Sequence, residues 1–387
     1  MEQNNVNLTL LLETTLEHLD IPKSLYEKAR NRHRSLAEWL NRDDSTIRQY
    51  EPDVRPQGSF RYGTVNRPLN PDDEYDLDNV CVLNALAKSQ LTQKQLKHLY
   101  GKEIKAYARE YGMLAPVEEH NRCWRLCYAD EVSFHLDTLP CVPEEVSVIH
   151  RLTAAGVPYD LARRAVAITD RHHEQYEQIT SLWPSSNPRG FAKYFEQQAA
   201  LGRDAMLREG RILATIEDVP PYEWKTPLQR SIQILKRHRD VMFQDMPRLA
   251  PISMIITNLA ARSYAGETNL AVALTNIIEK MPTFVREQRP WLPNPADPLE
   301  DYADKWSVDQ RLEKNFWEWH SAVKSDIARL LAALGTSRLP TLTEKAFDVT
   351  LTADVARKLG GGSGSSPAVA KSTPAIVIPS APRPWGR

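Results

Sequence analysis

The chain has 387 residues, a formal net charge of −1 and 26% charged residues. This length allows two domains with sizeable cores, and the near-neutral charge excludes a globally basic nucleic-acid binder while leaving room for local basic patches. The first residues, MEQNNVNLTL, contain neither a basic stretch nor a long apolar run, and no segment reaches the ~18 apolar residues of a membrane span. We therefore expect a soluble, cytoplasmic protein.

The four cysteines do not predict a metal site. Cys123 and Cys127 are four residues apart, which differs from the CxxC spacing of zinc sites. We expect all four to be reduced, buried, small apolar side chains. The other two are Cys81 and Cys141.

Two helices are predicted ahead of the first strands, over residues 8–20 and 22–49. Pro22 suits an early helical position in the second. Five side chains of this segment recur at helical spacing and predict one packed face. They are Leu25, Ala29, His33, Leu36 and Leu40.

The stretch Gln57–Val82 combines a glycine-serine turn with two aspartates in an apolar segment. Asp76 and Asp78 are spaced i, i+2, so in a strand they point to the same face. Two carboxylates on one face repel each other unless a cation lies between them, and their hard oxygen atoms suit Mg²⁺. Gly58 and Ser59 would place backbone N–H groups and a hydroxyl against a phosphate. By itself a DxD triplet is more often a solvated loop or a turn than a metal site.

A strand is predicted at Trp124–Tyr128. A second aspartate-bearing strand is predicted after it, at Val132–Leu139. If it pairs with the first, Asp137 joins the other two carboxylates, enough for two metal ions about 3.5–4 Å apart, as used in phosphoryl transfer. Pro140 and Pro143 are predicted to end this run, because proline cannot donate to a sheet ladder.

The remaining segments are predicted to be mainly helical. Residues 183–190, WPSSNPRG, are predicted to be a connecting loop, with closure over a substrate as the alternative. In the helix 311–335, the aromatic residues Phe316, Trp317 and Trp319 are interpreted as core. The other predicted helices cover residues 90–112, 225–242 and 254–262.

The segment Lys225–Met242 is predicted to begin with Thr226 as its N-cap and Pro227 in the first turn. A basic helix beside carboxylate-bound metals would suit an incoming triphosphate, and a solvated helix face is the alternative. The predicted inward face consists of Leu228, Ile232, Leu235 and Met242. The predicted basic faces carry Arg230, Lys236, Arg237 and Arg239.

Three motifs in this order, QGS at 57–59, YDLD at 75–78 and HLDT at 135–138, resemble the nucleotidyltransferase superfamily that includes template-independent polymerases. In detail they resemble the bacterial cGAS/DncV-like nucleotidyltransferases of CBASS antiphage signalling, although the gap between Ser59 and Asp76 is longer than is usual there. The resemblance implies an α+β fold with a polymerase-beta-like sheet, an N-terminal spine helix and a helical C-terminal lobe. The implied divisions are N-terminal helices 1–53, a catalytic domain 54–150, a helical lobe 151–358 and a flexible tail 359–387.

The resemblance also implies roles for individual residues. Asp76, Asp78 and Asp137 would hold two Mg²⁺ ions, with Mn²⁺ as a substitute. The donor phosphates would contact Gln57, Gly58, Ser59 and Lys236. Ser253 would contact the donor nucleotide, with a plain N-cap as its alternative role, and Asp301 would lie near the nucleobase.

The implied activity is synthesis of a cyclic di- or trinucleotide second messenger from NTPs, ATP among them. The alternatives are nucleotide transfer to RNA or protein, which the near-neutral charge disfavours for long RNA, and a catalytically silent scaffold. The resemblance further implies a HORMA-like or ubiquitin-transfer-like partner. It would bind the tail beyond the GGGSGSS linker at 360–366, where residues 375–378 are β-prone; a merely disordered tail is the alternative.

Overall fold

The computed structural model describes residues 2–70, 72–128, 134–209 and 224–359. Strands concentrate in the first half of the chain and helices in the second, so the predicted α+β class is confirmed. Within the described ranges, none of the helices is long and apolar enough to cross a membrane. The predicted linker and tail, residues 360–387, lie outside the described residues.

One seven-stranded mixed sheet organises the first half of the molecule. Its strands are β1 (Pro52–Gln57), β2 (Tyr75–Leu83), β3 (Glu118–Glu119), β4 (Trp124–Tyr128), β5 (Phe134–Pro143), β6 (Val166–Ile168) and β7 (Ser185–Ser186). The order is β1-β2-β5-β4-β3, with β6 pairing with β5 and β7 pairing with β6. Among the strand pairs of this sheet in the described ranges, only β2–β5 is parallel. A separate hairpin is formed by β8 (Pro293–Asn294) and β9 (Asp297–Asp301).

The prediction that Pro140 ends the fifth strand is wrong, because β5 runs through Pro140; the strand ends at Pro143, as predicted. The pairing with β4 ends at Thr138, and the pairing with β6 begins at Cys141. Pro140 therefore lies where one neighbour of β5 is exchanged for another, so the ladder tolerates its missing N–H. The first two residues of the predicted strand, 132 and 133, are outside the described ranges.

The helices are α1 (Glu2–Leu19), α2 (Lys23–Leu40), α3 (Gly58–Tyr62), α4 (Gln93–Glu110), α5 (Val146–Ala154), α6 (Tyr159–Ala162), α7 (Pro188–Arg208), α8 (Pro227–Met242), α9 (Ser253–Ser263), α10 (Leu270–Lys280), α11 (Gln310–Ala333), α12 (Leu339–Phe347) and α13 (Ala353–Leu359). The predicted helix 22–49 is too long, since α2 ends at Leu40. There the Asn41 side chain donates to the carbonyls of Ala37 and Pro52, which closes the helix end.

Several smaller predictions also differ from the structure. Residues 183–190 are not a simple loop: they contain β7 and the start of α7, where the Asn187 side chain accepts the Gly190 N–H. Met242 is 40% exposed rather than packed, because it is the last residue of α8. Trp317 is 37% exposed, whereas Phe316 and Trp319 are buried as predicted. The cysteines are free thiols, of which Cys81 and Cys141 are buried and the other two half-buried.

Two main hydrophobic cores divide the molecule, and the N-terminal helices contribute to both. Helix α1 places Leu8 and Leu11 in the helical core formed with α7 to α12. Helix α2 instead packs Leu25 and Leu36 against the sheet. The first 40 residues therefore fasten the helical lobe to the sheet lobe, and two cavities described below lie between the lobes.

Candidate active site

The parallel pairing of β2 with β5 brings the three aspartates together. Asp78 is in register with Asp137, and Asp76 is in register with His135. Side chains two apart on a strand share a face, so Asp76 and Asp78 stand beside Asp137 at one end of the sheet. All three line a cleft of about 1280 Å³ between the lobes.

Like charges crowd this end of the cleft. Burial, followed by the negative charges of Asp76 and Asp137, raises the pKa of Asp78 to about 7, against the opposing effects of Arg125 and Lys236. The pKa of Asp76 is also raised, chiefly by burial and then by Asp137, although Arg125 lowers it. The two β2 carboxylates therefore lack sufficient positive charge around them, which is the condition that a bound cation would relieve.

The residue that sequence reasoning missed here is Arg125 on β4. It is in register with Asp137 and donates from Nε to Oδ1 at 2.7 Å and from Nη2 to Oδ2 at 2.8 Å. Both oxygens of Asp137 are thus engaged by a protein cation. The Trp-Arg-Leu-Cys-Tyr pattern of β4 puts this arginine in a strand, but its partner depends on the order of strands in the sheet.

The donor set of this site fits a divalent cation in part. Asp76 and Asp78 offer hard oxygen atoms on one face, which is the chemistry that Mg²⁺ prefers. Asp137 would be the third carboxylate ligand once the metal replaced Arg125 as its partner. Among the described residues, no group of three or more His, Cys, Asp or Glu side chains is arranged to hold a metal ion.

The glycine-serine turn lies directly against Asp78. Gly58 has a φ of +65°, and a Cβ atom there would lie 2.0 Å from Asp78 Oδ2. Glycine is therefore required both by the left-handed backbone and by the close approach. Gln57 pairs with Asp78 in the β1–β2 ladder, and Gln57, Gly58 and Ser59 all line the cleft.

The predicted N-terminus of α8 is confirmed: Thr226 and Gln229 form a capping box, with Pro227 in the first turn. Lys236 does not lie on a solvated helix face, which is the alternative interpretation of this helix. Lys236 is only 7% exposed, lines the cleft, and donates from Nζ to the carbonyl of Thr64 at 2.9 Å. Burial, followed by Arg239, lowers the pKa of Lys236 to about 8, and Asp78 acts in the opposite direction.

Arg237 is also buried, at 5% exposure, and donates to the carbonyl of Arg67. Arg230 forms an ion pair with Asp20 at 2.6 Å. Both residues therefore join α8 to the segments around it, and neither is among the residues that line the cleft.

Ser253 also lines the cleft, at the start of α9. Its interpretation as an N-cap is wrong, because Ile252 occupies that position and no side chain caps the helix. Ser253 Oγ instead accepts a hydrogen bond from Nη1 of Arg239 at 3.0 Å. The hydroxyl thus faces a basic residue of α8 rather than its own helix.

In the 294–306 segment the cleft is lined by Glu300 and Tyr302, not by Asp301. Asp301 accepts the backbone N–H groups of Trp291, Leu292 and Ala303, so its role is to shape the loop. Glu300 accepts from Ser186 and Asn294, and burial raises its pKa. Residues on either side of Asp301 face the cleft because alternate strand residues point to opposite faces.

Comparison with known proteins adds an independent line of observation. A family model described as cyclic GMP-AMP synthase DncV-like, nucleotidyltransferase domain, matches residues 52–140. The chain is 28% identical over 319 residues to a c-di-GMP synthase of Roseivirga ehrenbergii, covering 80% of this chain and 77% of that protein. It is 24% identical over 398 residues to the cyclic dinucleotide synthase CdnG of Bradyrhizobium diazoefficiens, covering 93% and 88% respectively.

Solved structures of similar proteins share the fold. The CD-NTase CdnG of Bradyrhizobium diazoefficiens in complex with GTP gives a TM-score of 0.63 at 21% identity, covering 90% of this chain and 96% of that one. The Escherichia coli MS115-1 CdnC of a CdnC:HORMA-deltaN complex gives 0.59 at 12% identity, covering 89% and 97%. Vibrio cholerae DncV cyclic AMP-GMP synthase in complex with nonhydrolyzable GTP gives 0.52 at 16% identity, covering 90% and 86%.

Proposed function

The chain belongs to the bacterial cGAS/DncV-like nucleotidyltransferases, and from this premise we propose that it joins nucleoside triphosphates into a cyclic di- or trinucleotide second messenger. The observation that carries the proposal is the position of Asp76 and Asp78 beside Asp137 in one large cleft. Small-molecule sites measure roughly 300–1,000 Å³, so a cleft of about 1280 Å³ has room for two nucleotides. Membership of this family places the product in antiphage defence.

The reaction is an in-line displacement in which a ribose hydroxyl of one nucleotide attacks the α-phosphorus of another and pyrophosphate leaves. Asp76, Asp78 and Asp137 would hold Mg²⁺, with Mn²⁺ as a substitute. A divalent metal at this position supplies charge neutralisation and a lower pKa for the attacking hydroxyl. We assign Asp137 to the side of the acceptor hydroxyl, which requires that Arg125 release its carboxylate.

Residues outside the aspartate trio would hold the donor nucleotide. Gly58 lets the backbone approach a phosphate closely, and Ser59 adds a hydroxyl, while Gln57 orients the turn through its pairing with Asp78. Lys236, with a pKa of about 8, remains mainly protonated at neutral pH and would neutralise the triphosphate. Ser253 would contact the donor from the helical lobe.

We retain residues 54–150 as the catalytic domain, between the helices of 1–53 and the helical lobe of 151–358. We propose that the reaction takes place in the cytoplasm, where NTPs are available. We also propose that the tail, 359–387, binds a HORMA-like or ubiquitin-transfer-like partner. The support is the likeness to CdnC, which was solved with a HORMA protein, together with the β-prone residues 375–378.

The test is to incubate the purified protein with Mg²⁺ or Mn²⁺ and all four labelled NTPs. Products are treated with phosphatase, separated by chromatography and identified by mass spectrometry. We expect a phosphatase-resistant product that is absent from an Asp76→Asn/Asp78→Asn variant, whose neutral amides keep the side-chain shape.

Two further arms define what would contradict the proposal. If products form only after RNA is added, the protein transfers nucleotides to an RNA acceptor. If no NTP is consumed with cell extract present either, while the melting temperature shows a folded protein, the proposed synthesis is wrong.

A further inference from the structure

A second cavity, of about 520 Å³, lies beside the catalytic cleft. It is bordered by α2 and β1 from the sheet lobe and by the first turns of α7 from the helical lobe. Gln57 and Pro188 line both this cavity and the catalytic cleft. The acidic trio does not reach it, so its chemistry is separate from that of the cleft. We call it the basic cavity.

Positive charge dominates the basic cavity. Six arginines and one lysine line it, against the carboxylates of Asp53 and Glu196. Asp53 is shared between Arg55 at 2.7 Å and Arg189 at 3.1 Å. Glu196 forms an ion pair with Arg61. Each carboxylate of the cavity is therefore already paired with an arginine.

Three of the seven cations remain without an acidic partner. Arg30, Arg34 and Lys193 form no ion pair with any residue that the structure describes. The Nε atom of Arg30 is buried and has no hydrogen-bond partner within the described ranges. A buried donor of this kind is costly unless a ligand or water satisfies it.

The positions of these residues form two facing rows. Arg30 and Arg34 are four apart on α2, and Arg189 and Lys193 are four apart on α7, so each pair lies on one helix face. The two helices belong to different cores. An anion between them would contact both lobes at once, and a guanidinium fork matches phosphate oxygens in pairs.

The crowding of positive charges in the basic cavity also affects the pKa of Arg189. Burial lowers this pKa, and the neighbouring Arg164 and Arg55 lower it further, against the opposing effect of Asp53. The cavity thus contains more positive charge than its own acids balance. This supports the geometric argument for an anionic ligand.

We propose that the basic cavity binds a small anion carrying two or more phosphate groups, held between Arg30 and Arg34 on one side and Lys193 on the other. Small-molecule sites measure about 300–1,000 Å³, which includes this volume. A nucleic-acid duplex would instead need a surface burying about 1,000–2,500 Å² of protein. Since Gln57 lines the cavity, the anion lies next to the residue that precedes the glycine-serine turn.

The test is calorimetric titration of the full chain with inorganic tripolyphosphate in the presence of EDTA. Without divalent metal, the acidic catalytic cleft repels this probe. We expect the variant Arg30→Gln/Arg34→Gln/Lys193→Gln to lose at least about tenfold in affinity, because charge-assisted hydrogen bonds to phosphate are removed. Lys236→Gln, which alters only the catalytic cleft, should bind as the wild type does.

A matched control removes the same charge elsewhere. Lys102, Arg109 and Lys280 are exposed and lie outside both cavities, so their triple replacement by Gln should change affinity by less than about twofold. Should the cavity triple variant melt early, Arg34→Gln/Lys193→Gln keeps the buried Arg30 and should still weaken binding.

Four results would overturn the proposal. The first is the absence of binding heat when wild-type protein is titrated with millimolar tripolyphosphate. The second is an equal loss of affinity in both triple variants, which indicates general charge attraction. Loss of binding in Lys236→Gln alone would place the anion in the catalytic cleft. A DNA duplex that binds more tightly than tripolyphosphate, and only when the cavity arginines are intact, would assign the surface to nucleic acid.

Discussion

The catalytic cleft and the basic cavity meet at Gln57, yet they carry opposite excess charge. In the cleft, burial raises the pKa of Asp78 to about 7, while in the basic cavity it lowers the pKa of Arg189. Each site holds an internal counter-charge that is insufficient: Arg125 in the first and Asp53 in the second. This difference in charge supports both proposals, a cation in the cleft and an anion in the basic cavity.

The largest expected effect concerns the close approach of the glycine-serine turn to Asp78. Gly58→Ala should reduce the rate of product formation by at least about 100-fold and destabilise the fold by roughly 1–3 kcal/mol, since a Cβ would meet Asp78 Oδ2 at 2.0 Å. Gly112→Ala is the matched control, because Gly112 also has a positive φ but no atom within 4 Å of the added Cβ. Equal activity losses in the two variants would refute the role of the close approach.

The next prediction concerns pH and the carboxylates of the cleft. Because the pKa of Asp78 rises from 3.8 to about 7 on folding, its stabilising contribution is present below about pH 4 and lost as pH rises through 7. In EDTA, Asp78→Asn should therefore be more stable than wild type at pH 8 and show little difference at pH 4. Chemical denaturation at the two pH values measures this, and a gap that does not widen with pH would contradict it.

A smaller effect is expected when Arg125, the internal counter-charge of the cleft, is replaced. Arg125→Met should destabilise the metal-free protein by about 1–3 kcal/mol, because Asp137 loses two charge-assisted hydrogen bonds. The same change should tighten Mn²⁺ binding, since the metal no longer has to displace the arginine. Electron paramagnetic resonance of free Mn²⁺ reports the affinity, and Arg125→Lys is the intermediate control. Weaker Mn²⁺ binding in Arg125→Met would show that the arginine positions Asp137 rather than competing for it.

The smallest effect tests how α8 supports the cleft. Thr226→Ala should cost about 1 kcal/mol by removing the N-cap, and it should also raise the KM for NTPs because α8 carries Lys236. Thr92→Ala removes an equivalent capping box from α4, which does not line the cleft. This control variant should lower the melting temperature by about as much as Thr226→Ala does and leave KM unchanged. A KM shift in both variants would mean that the effect is global.

Short-range patterns of the sequence determined much of this molecule. The i, i+2 spacing put Asp76 and Asp78 on one strand face, and the Thr226–Pro227 pair marked the start of α8, because strand alternation and helix capping depend on neighbours within a few residues. The ordered motifs also resemble the family whose model matches residues 52–140.

Only the tertiary structure decided which distant groups meet. Strand order placed Arg125 on Asp137, and lobe packing buried Lys236 against the loop at Thr64. The same packing set the arginines of α2 opposite Arg189 and Lys193 of α7. These contacts join residues tens to hundreds of positions apart, and their partners follow from pairing and packing across the whole chain rather than from any local periodicity.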